Sequence, residues 1–197
     1  DSLGIIAQFG GQTALNTVKE LSKCGVRILG TDFNAIDIAE DRKRFDYLLS
    51  ELKILRPKGF SAISIADALN KAEEIGFPVL VRPSYVIGGQ SMRLINSIES
   101  LEQYMKGIYI SEDKPLLIDH YIEGIEAEVD ALCDGEAIYI PGIMEHIERT
   151  GVHSGDSMSV FPSYTLNSVQ KEKIIEITEK IALALNVKGL INIQFAV

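Results

Sequence analysis

The sequence predicts an α+β fold: a small mixed lobe followed by a larger lobe with antiparallel strands. Three observations predict it. Apolar runs of strand length alternate with helix-length segments through the first half of the chain. From Leu116 onward the character turns to β, and Glu126–Leu132 alternates acid and apolar side chains at the period of a strand with one wet face. Asp134-Gly135 then marks a tight hairpin.

Taken in order, Leu3–Phe9 is an apolar run of strand length, broken by Gly10-Gly11 and followed by a helix to about Lys23. Gly25 stops that helix, and Val26–Gly30 reads as a parallel partner strand. A βαβ unit of this size cannot bury both faces alone, so an earlier portion of a doubly wound domain is expected before it. Asp32–Ser50 predicts one charged helix, with Asp41-Arg42-Lys43-Arg44 near its middle and Pro57 closing the connection. Ser64 and Asp67 have capping-box spacing for a helix to about Ile75, ended by Gly76. The strand carrying Arg82, a loop with Gly88-Gly89, a strand near Met92–Ile95 and a short helix over Ile98–Lys106 follow. Leu116–Ile118 reads as a strand, and the hairpin's return strand is expected over Ala137–Met144. Gly151–Ser157 is a polar loop. Val169–Leu185 is an amphipathic helix with Ile174, Ile177, Ile181 and Leu185 on one face and a Glu176–Lys180 pair on the other. Gly189–Val197 is a strand.

The totals bound the function. At 197 residues, 46% hydrophobic and 24% charged, the chain can form one or two compact domains with a real core. Net charge is −9 and no cluster of Lys or Arg dominates any segment, which argues against a nucleic-acid or anionic-membrane partner. A site for an anionic ligand must then be made locally, by a few cations and a divalent metal. Cys24 and Cys133 lie far apart, without CxxC or a His pair. They read as inert buried thiols in a reducing, cytoplasmic compartment. No apolar run approaches the roughly 18 residues of a spanning helix, and no leader is visible.

The segment from Val79 to Met92 points to chemistry. An apolar run delivers Arg82 to its polar end, and Gly88-Gly89 follow in a short loop. A fixed guanidinium beside bare backbone suits a polyphosphate, because it offers forked donors and lets N–H groups come close to oxygen atoms. This is neither a P-loop nor a Rossmann fingerprint. The alternatives are a surface ion pair for Arg82 and a plain turn for the glycines. Glu126, Glu128 and Asp130 share one side of a strand: either a solvated face, or ligands for ribose hydroxyls and a metal. His153 is either a satisfied surface histidine or a donor to a transferring phosphoryl group. His120 follows a strand where a hinge could pair with adenine through its backbone. Gln194 is either a neutral amide ligand for Mg²⁺ or a plain strand glutamine.

Together, VRPSYVIGG, DIAEDRKRF, GIMEHIERTGVHSGDS and NIQFAV resemble the large-chain family of carbamoyl phosphate synthetase, within the ATP-grasp ligases. The likeness runs from QFGGQT to Val197. It implies an ATP-grasp fold, two α+β lobes with nucleotide between them, preceded by the end of a Rossmann-like pre-ATP-grasp α/β region. Residues 1–45 would close that region and 46–197 would be an ATP-grasp domain incomplete at its C-terminus. SYVIGG and GVHSGDS resemble the half of this family that phosphorylates carbamate; the other half usually has a longer glycine run and Thr in place of Ser154.

The resemblance also implies roles. Arg82 would contact the phosphates beneath Gly88 and Gly89. His120 and Ile122 would line the adenine hinge, and Glu126 would take the ribose hydroxyls. Gly151, Val152, His153 and Ser154 would form a second nucleotide-contacting loop, with His153 near the transferred phosphoryl. Gln194 would bind Mg²⁺ or Mn²⁺, and Arg42 would meet nucleotide or acceptor. ATP and carbamate would be substrates, with a small glutaminase subunit as partner and pyrimidine and arginine biosynthesis as destinations. The sequence departs from the family at Gln90, where an Arg usually follows the glycines, and the family's glutamate and asparagine metal ligands fall beyond Val197. The competing expectations are another ATP-grasp carboxylate–amine ligase, a biotin-carboxylase-like enzyme, and a non-catalytic nucleotide-binding fragment.

Overall fold

The computed structural model describes residues 3–9, 11–83, 92–112, 114–152 and 157–197. The chain divides into two compact units. One comprises Asp1–Leu55, Ala127–Glu145 and Val160–Phe195; the other comprises Arg56–Glu126, His146–Ser159 and Ala196–Val197.

In the first unit, β1 (Ile5–Ile6), α1 (Gly11–Lys23) and β2 (Ile28–Leu29) form the expected βαβ unit, with Ile5 beside Ile28 in parallel register. Both strands are shorter than the apolar runs suggest. The chain leaves α1 through Gly25 at φ 78°, and the Val26 N–H turns back to the Leu21 carbonyl, so Val26 closes the helix instead of extending the strand. The single charged helix expected over Asp32–Ser50 is two helices, α2 (Phe33–Glu40) and α3 (Arg42–Glu51). Asp41 is the reason. Its backbone is extended, its N–H caps α2 by donating to the Asp37 carbonyl, and its carboxylate accepts from the Arg44 N–H to begin α3. An Asp side chain competes well for free helix-end donors, and here it wins over continuation.

Five further strands, in whole or in part, and a helix belong to this unit. In β7 (Ile125–Asp134), buried Ala127, Val129, Ala131 and Cys133 alternate with the more exposed Glu128, Asp130, Leu132 and Asp134. The Asp134-Gly135 turn forms as expected: Asp134 Oδ1 accepts from Glu136 N–H at 2.9 Å and Ala137 N–H at 2.7 Å. The return strand β8 is only Ile138–Tyr139, not Ala137–Met144. Pro141 cannot donate to a ladder, and Gly142 lies so close to Phe161 that an added Cβ would be 2.6 Å from its ring. The chain therefore breaks and resumes as β9 (Met144–Arg149) and β10 (Ser159–Val160). With β11 (Lys188–Ala196) they form a sheet of order β10-β9-β7-β11, with β8 on β7. Helix α6 (Ser168–Ala184) starts at a full capping box of Asn167 and Gln170. Its Ile181 and Ala182 pack with Ala35, Leu49, Cys133, Leu185 and Val187. Cys133 is thus buried, as expected, whereas Cys24, at the end of α1, is exposed, contrary to expectation.

The second unit is an antiparallel sheet of order β3-β6-β4-β5, with α4 and α5 packed on one face. Its elements are β3 (Gly59–Ala62), α4 (Ile65–Ile75), β4 (Val79–Pro83), β5 (Arg93–Ile95), α5 (Ile98–Met105) and β6 (Leu116–His120). Val79, Val81, Leu116 and Ile118 are buried with Ala68, Ala72, Leu101 and Met105 of the helices. The period of two then sends Leu80 and Arg82 to the opposite face, beside Asp119 and Leu117 of β6. Ser64 caps α4 by accepting from the Asp67 N–H; Asp67 reciprocates one residue early, on the Ile63 N–H.

Candidate nucleotide and metal-binding residues

The sheet face of the second unit that α4 and α5 leave uncovered carries Arg82. This side chain is exposed at the penultimate position of β4, across from Leu117. Beyond β6 the chain runs as a non-regular segment to β7, and backbone bonds hold it at both ends. His120 N–H donates to the Lys58 carbonyl at 2.7 Å and Tyr121 N–H to the Pro78 carbonyl at 3.0 Å. At the far end Ile125 and Val197 exchange two bonds, of 3.0 and 2.9 Å. Between these anchors lie the sequence-derived hinge residues His120 and Ile122, and Glu126 follows on β7. His120 Nδ1 is 3.4 Å from the Gly76 carbonyl. Ile122 is 38% exposed, and Glu126 is half-buried.

The end of β9 reaches this hinge. Arg149 pairs with Glu123, and Thr150 Oγ1 donates to the Ile122 carbonyl. The next residue, Gly151, has φ 94°, and a Cβ there would sit 3.2 Å from the Tyr121 ring and 3.5 Å from Leu80. Glycine at 151 therefore permits both the left-handed backbone and the close approach to the Leu80 face. Val152 is 37% exposed. His153 and Ser154, like Gly88 and Gly89, lie outside the described residues. On the other side of them, Ser157 Oγ is 2.7 Å from Nδ1 of the buried His146. Within this unit Arg82 and His120 thus stand on one sheet, Ile122 on the segment leading from it, Glu126 at the start of β7, and Gly151 against that segment at Tyr121.

Arg42 and Gln194 belong to the other unit. Arg42 is the first residue of α3. Gln194 is on the exposed side of β11, whose burial alternates strictly. The reciprocal Ile125–Val197 pair sets an antiparallel register that places Gln194 opposite Glu128 and Asn192 opposite Asp130. Asn192 Nδ2 donates to Glu128 Oε1 at 2.6 Å and to Asp130 Oδ1 at 2.8 Å. One neutral amide thereby separates two carboxylates that would otherwise repel. Sequence reading missed Asn192; its signal was its place two residues before Gln194, on the same strand face. Among the described residues no group of three His, Cys, Asp or Glu could hold a metal. Glu128, Asp130, Asn192 and Gln194 offer oxygen atoms on this face, the donor type that suits a hard cation such as Mg²⁺ over a soft one.

Comparison with known proteins gives a family. Residues 41–197 match the family described as carbamoyl-phosphate synthase L chain, ATP binding domain. The large chain of carbamoyl phosphate synthase from Caldanaerobacter subterraneus subsp. tengcongensis is 59% identical over 196 residues, which is 99% of this chain and 18% of that one. The corresponding Thermomicrobium roseum protein is 55% identical over 193 residues, 97% of this chain and 18% of that one. The chain thus spans about a fifth of the length of these relatives. Among solved structures, carboxyaminoimidazole ribonucleotide synthase from Aspergillus clavatus, complexed with ATP, superposes with a TM-score of 0.73 at 14% identity, over 92% of this chain and 47% of its own. Biotin carboxylase from Campylobacter jejuni, also in a nucleotide complex, gives 0.71 at 19% identity, over 93% of this chain and 43% of its own. D-alanyl-alanine synthetase A from Vibrio cholerae gives 0.69 at 18% identity, over 95% and 60%. The fold is that of the ATP-grasp proteins.

Proposed function

The chain belongs to the family of the carbamoyl-phosphate synthase L chain ATP-binding domain, and from that premise we propose that it binds MgATP and serves the phosphorylation of carbamate to carbamoyl phosphate. The observation that carries this reading is the uncovered face of β4 and β6: an exposed guanidinium at a strand end, bordered by a backbone-anchored hinge and by Gly151. On this reading Arg82, with Gly88 and Gly89, takes the phosphates. His120 and Ile122 line the adenine, and Glu126 takes the ribose. Gly151, Val152, His153 and Ser154 contact the triphosphate side, and Arg42 meets nucleotide or acceptor. Gln194 holds Mg²⁺ or Mn²⁺, on a face whose oxygen donors fit either ion. Such an ion, when bound, neutralises charge on the phosphate oxygens.

In the reaction a carbamate oxygen attacks the γ-phosphorus in line. The new O–P bond forms as the bond to the β,γ-bridging oxygen breaks, and ADP leaves with the electron pair. Little covalent help is needed; positioning and charge stabilisation supply the rate. Arg82 would be a fixed cation for the developing charge, and His153 would donate to the transferring group. The domain assignment, residues 1–45 as the end of a pre-ATP-grasp region and 46–197 as ATP-grasp domain, is part of the same proposal. So are the small glutaminase subunit, the cytoplasmic setting and the pyrimidine and arginine pathways. Among the described residues no helix is long and apolar enough to cross a membrane.

The test is the reverse partial reaction in the intact protein: formation of ATP from MgADP and carbamoyl phosphate. ATP formation supports the reading. Saturable MgADP binding with no ATP formed reduces the protein to a nucleotide-binding module, and absence of binding removes the reading altogether.

A further inference from the structure

Three consecutive residues at the end of β9 meet the hinge in antiparallel order. Gly151 lies against Tyr121, Thr150 bonds Ile122, and Arg149 pairs with Glu123; the Thr150 N–H also reaches the Gly124 carbonyl at 3.5 Å. The contacts are unequal. Arg149 and Glu123 have side chains 78% and 68% exposed, and an ion pair so wet is worth little. The Gly151 contact fills space but has no direction. The Thr150 hydroxyl makes a directional bond from the side chain to the hinge backbone.

We propose that Thr150 is a positioning residue. By holding the Ile122 carbonyl it fixes the spacing between the hinge and the Gly151-Val152 pair. It thereby registers the adenine end of one nucleotide against its phosphate end. The inference rests on the nucleotide reading above. It has a kinetic signature: the hinge alone still binds the base, so losing the registration slows phosphoryl transfer more than it weakens binding.

The experiment compares wild type, Thr150→Val and Thr150→Ser in ATP formation from MgADP and carbamoyl phosphate by the intact protein. Val keeps the shape and loses the hydroxyl; Ser keeps the hydroxyl. A typical net hydrogen bond corresponds to roughly a fivefold effect. Thr150→Val is expected to lower kcat about fivefold with KM for MgADP changed less than about twofold, and Thr150→Ser to stay within about twofold of wild type in both. Thr150→Ala provides a second deletion of the hydroxyl should the Val variant fold poorly, with the same expected split. Unchanged kcat in both deletions, a loss confined to KM, or failure of Ser to rescue overturns the inference while wild-type activity leaves the nucleotide reading standing. A wild type that neither binds MgADP nor makes ATP removes both.

Discussion

Two sets of carboxylates in the same unit have opposite surroundings. Glu145, on β9, is 4% exposed and wrapped by the turn before α6. Its Oε2 accepts from the N–H groups of Tyr164 at 2.9 Å, Thr165 at 2.8 Å and Leu166 at 3.4 Å, and its Oε1 accepts from the Thr165 hydroxyl. Glu128 and Asp130 stand on the wet side of β7 and share the amide of Asn192. An acid enclosed by donors of its own chain holds the fold. Acids on an open strand face, kept apart by a neutral amide, remain within reach of a ligand. A count of acids in the sequence cannot tell the two kinds apart.

The largest expected effect comes from Glu145→Ala. It removes the acceptor shared by three backbone N–H groups and the Thr165 hydroxyl, so a loss of about 3 kcal/mol is expected in urea denaturation. A loss below about 1 kcal/mol would erase the contrast with β7. The acid dependence of stability sharpens it. Burial pushes the Glu145 carboxyl up, but the hydroxyl and N–H groups of Thr165 and the N–H groups of Leu166 and Tyr164 together outweigh it and hold the group below its ordinary 4.5. Folding thus depresses this pKa. The stabilisation is complete above the unfolded value and is lost as pH falls through the lower folded one. Thermal melts should show wild type losing more stability than Glu145→Gln as pH drops below about 4.5. Equal losses would assign the acid sensitivity elsewhere.

On the open face the effects on folding are smaller. Asn192→Asp replaces the separating amide with a third carboxylate. It should cost about 1 kcal/mol in the same denaturation assay, with part of that recovered in high salt, where repulsion between exposed charges is screened. Glu128→Gln should change stability by less than about 0.5 kcal/mol, as surface substitutions usually do. A cost for it comparable with that of Glu145→Ala would make both acids architectural.

Much of this was legible from local pattern. The strand carrying Arg82, the Asp134-Gly135 turn and the amphipathic α6 each follow from residues a few positions apart, and each formed. The failures have physical causes. The helix break at Asp41 lay inside a run read as one charged helix, and there a side chain outcompeted helix continuation. The truncated β8 reflects Pro141 and the contact of Gly142 with Phe161, which is invisible until the chain is folded. The bonds of Thr150 to Ile122 and of Asn192 to Glu128 span 28 and 64 positions. No periodicity reports a contact of that kind. For the candidate site, sequence named the residue types and the structure supplied their partners.

The most direct measurement is isothermal titration of MgADP into wild type and Arg82→Ala. Saturable one-site binding that weakens at least about tenfold in the variant is expected, because a charged donor to phosphate is lost. Equal affinity in the two proteins, or no binding heat in wild type under conditions where it is folded, would contradict a phosphate site built on Arg82.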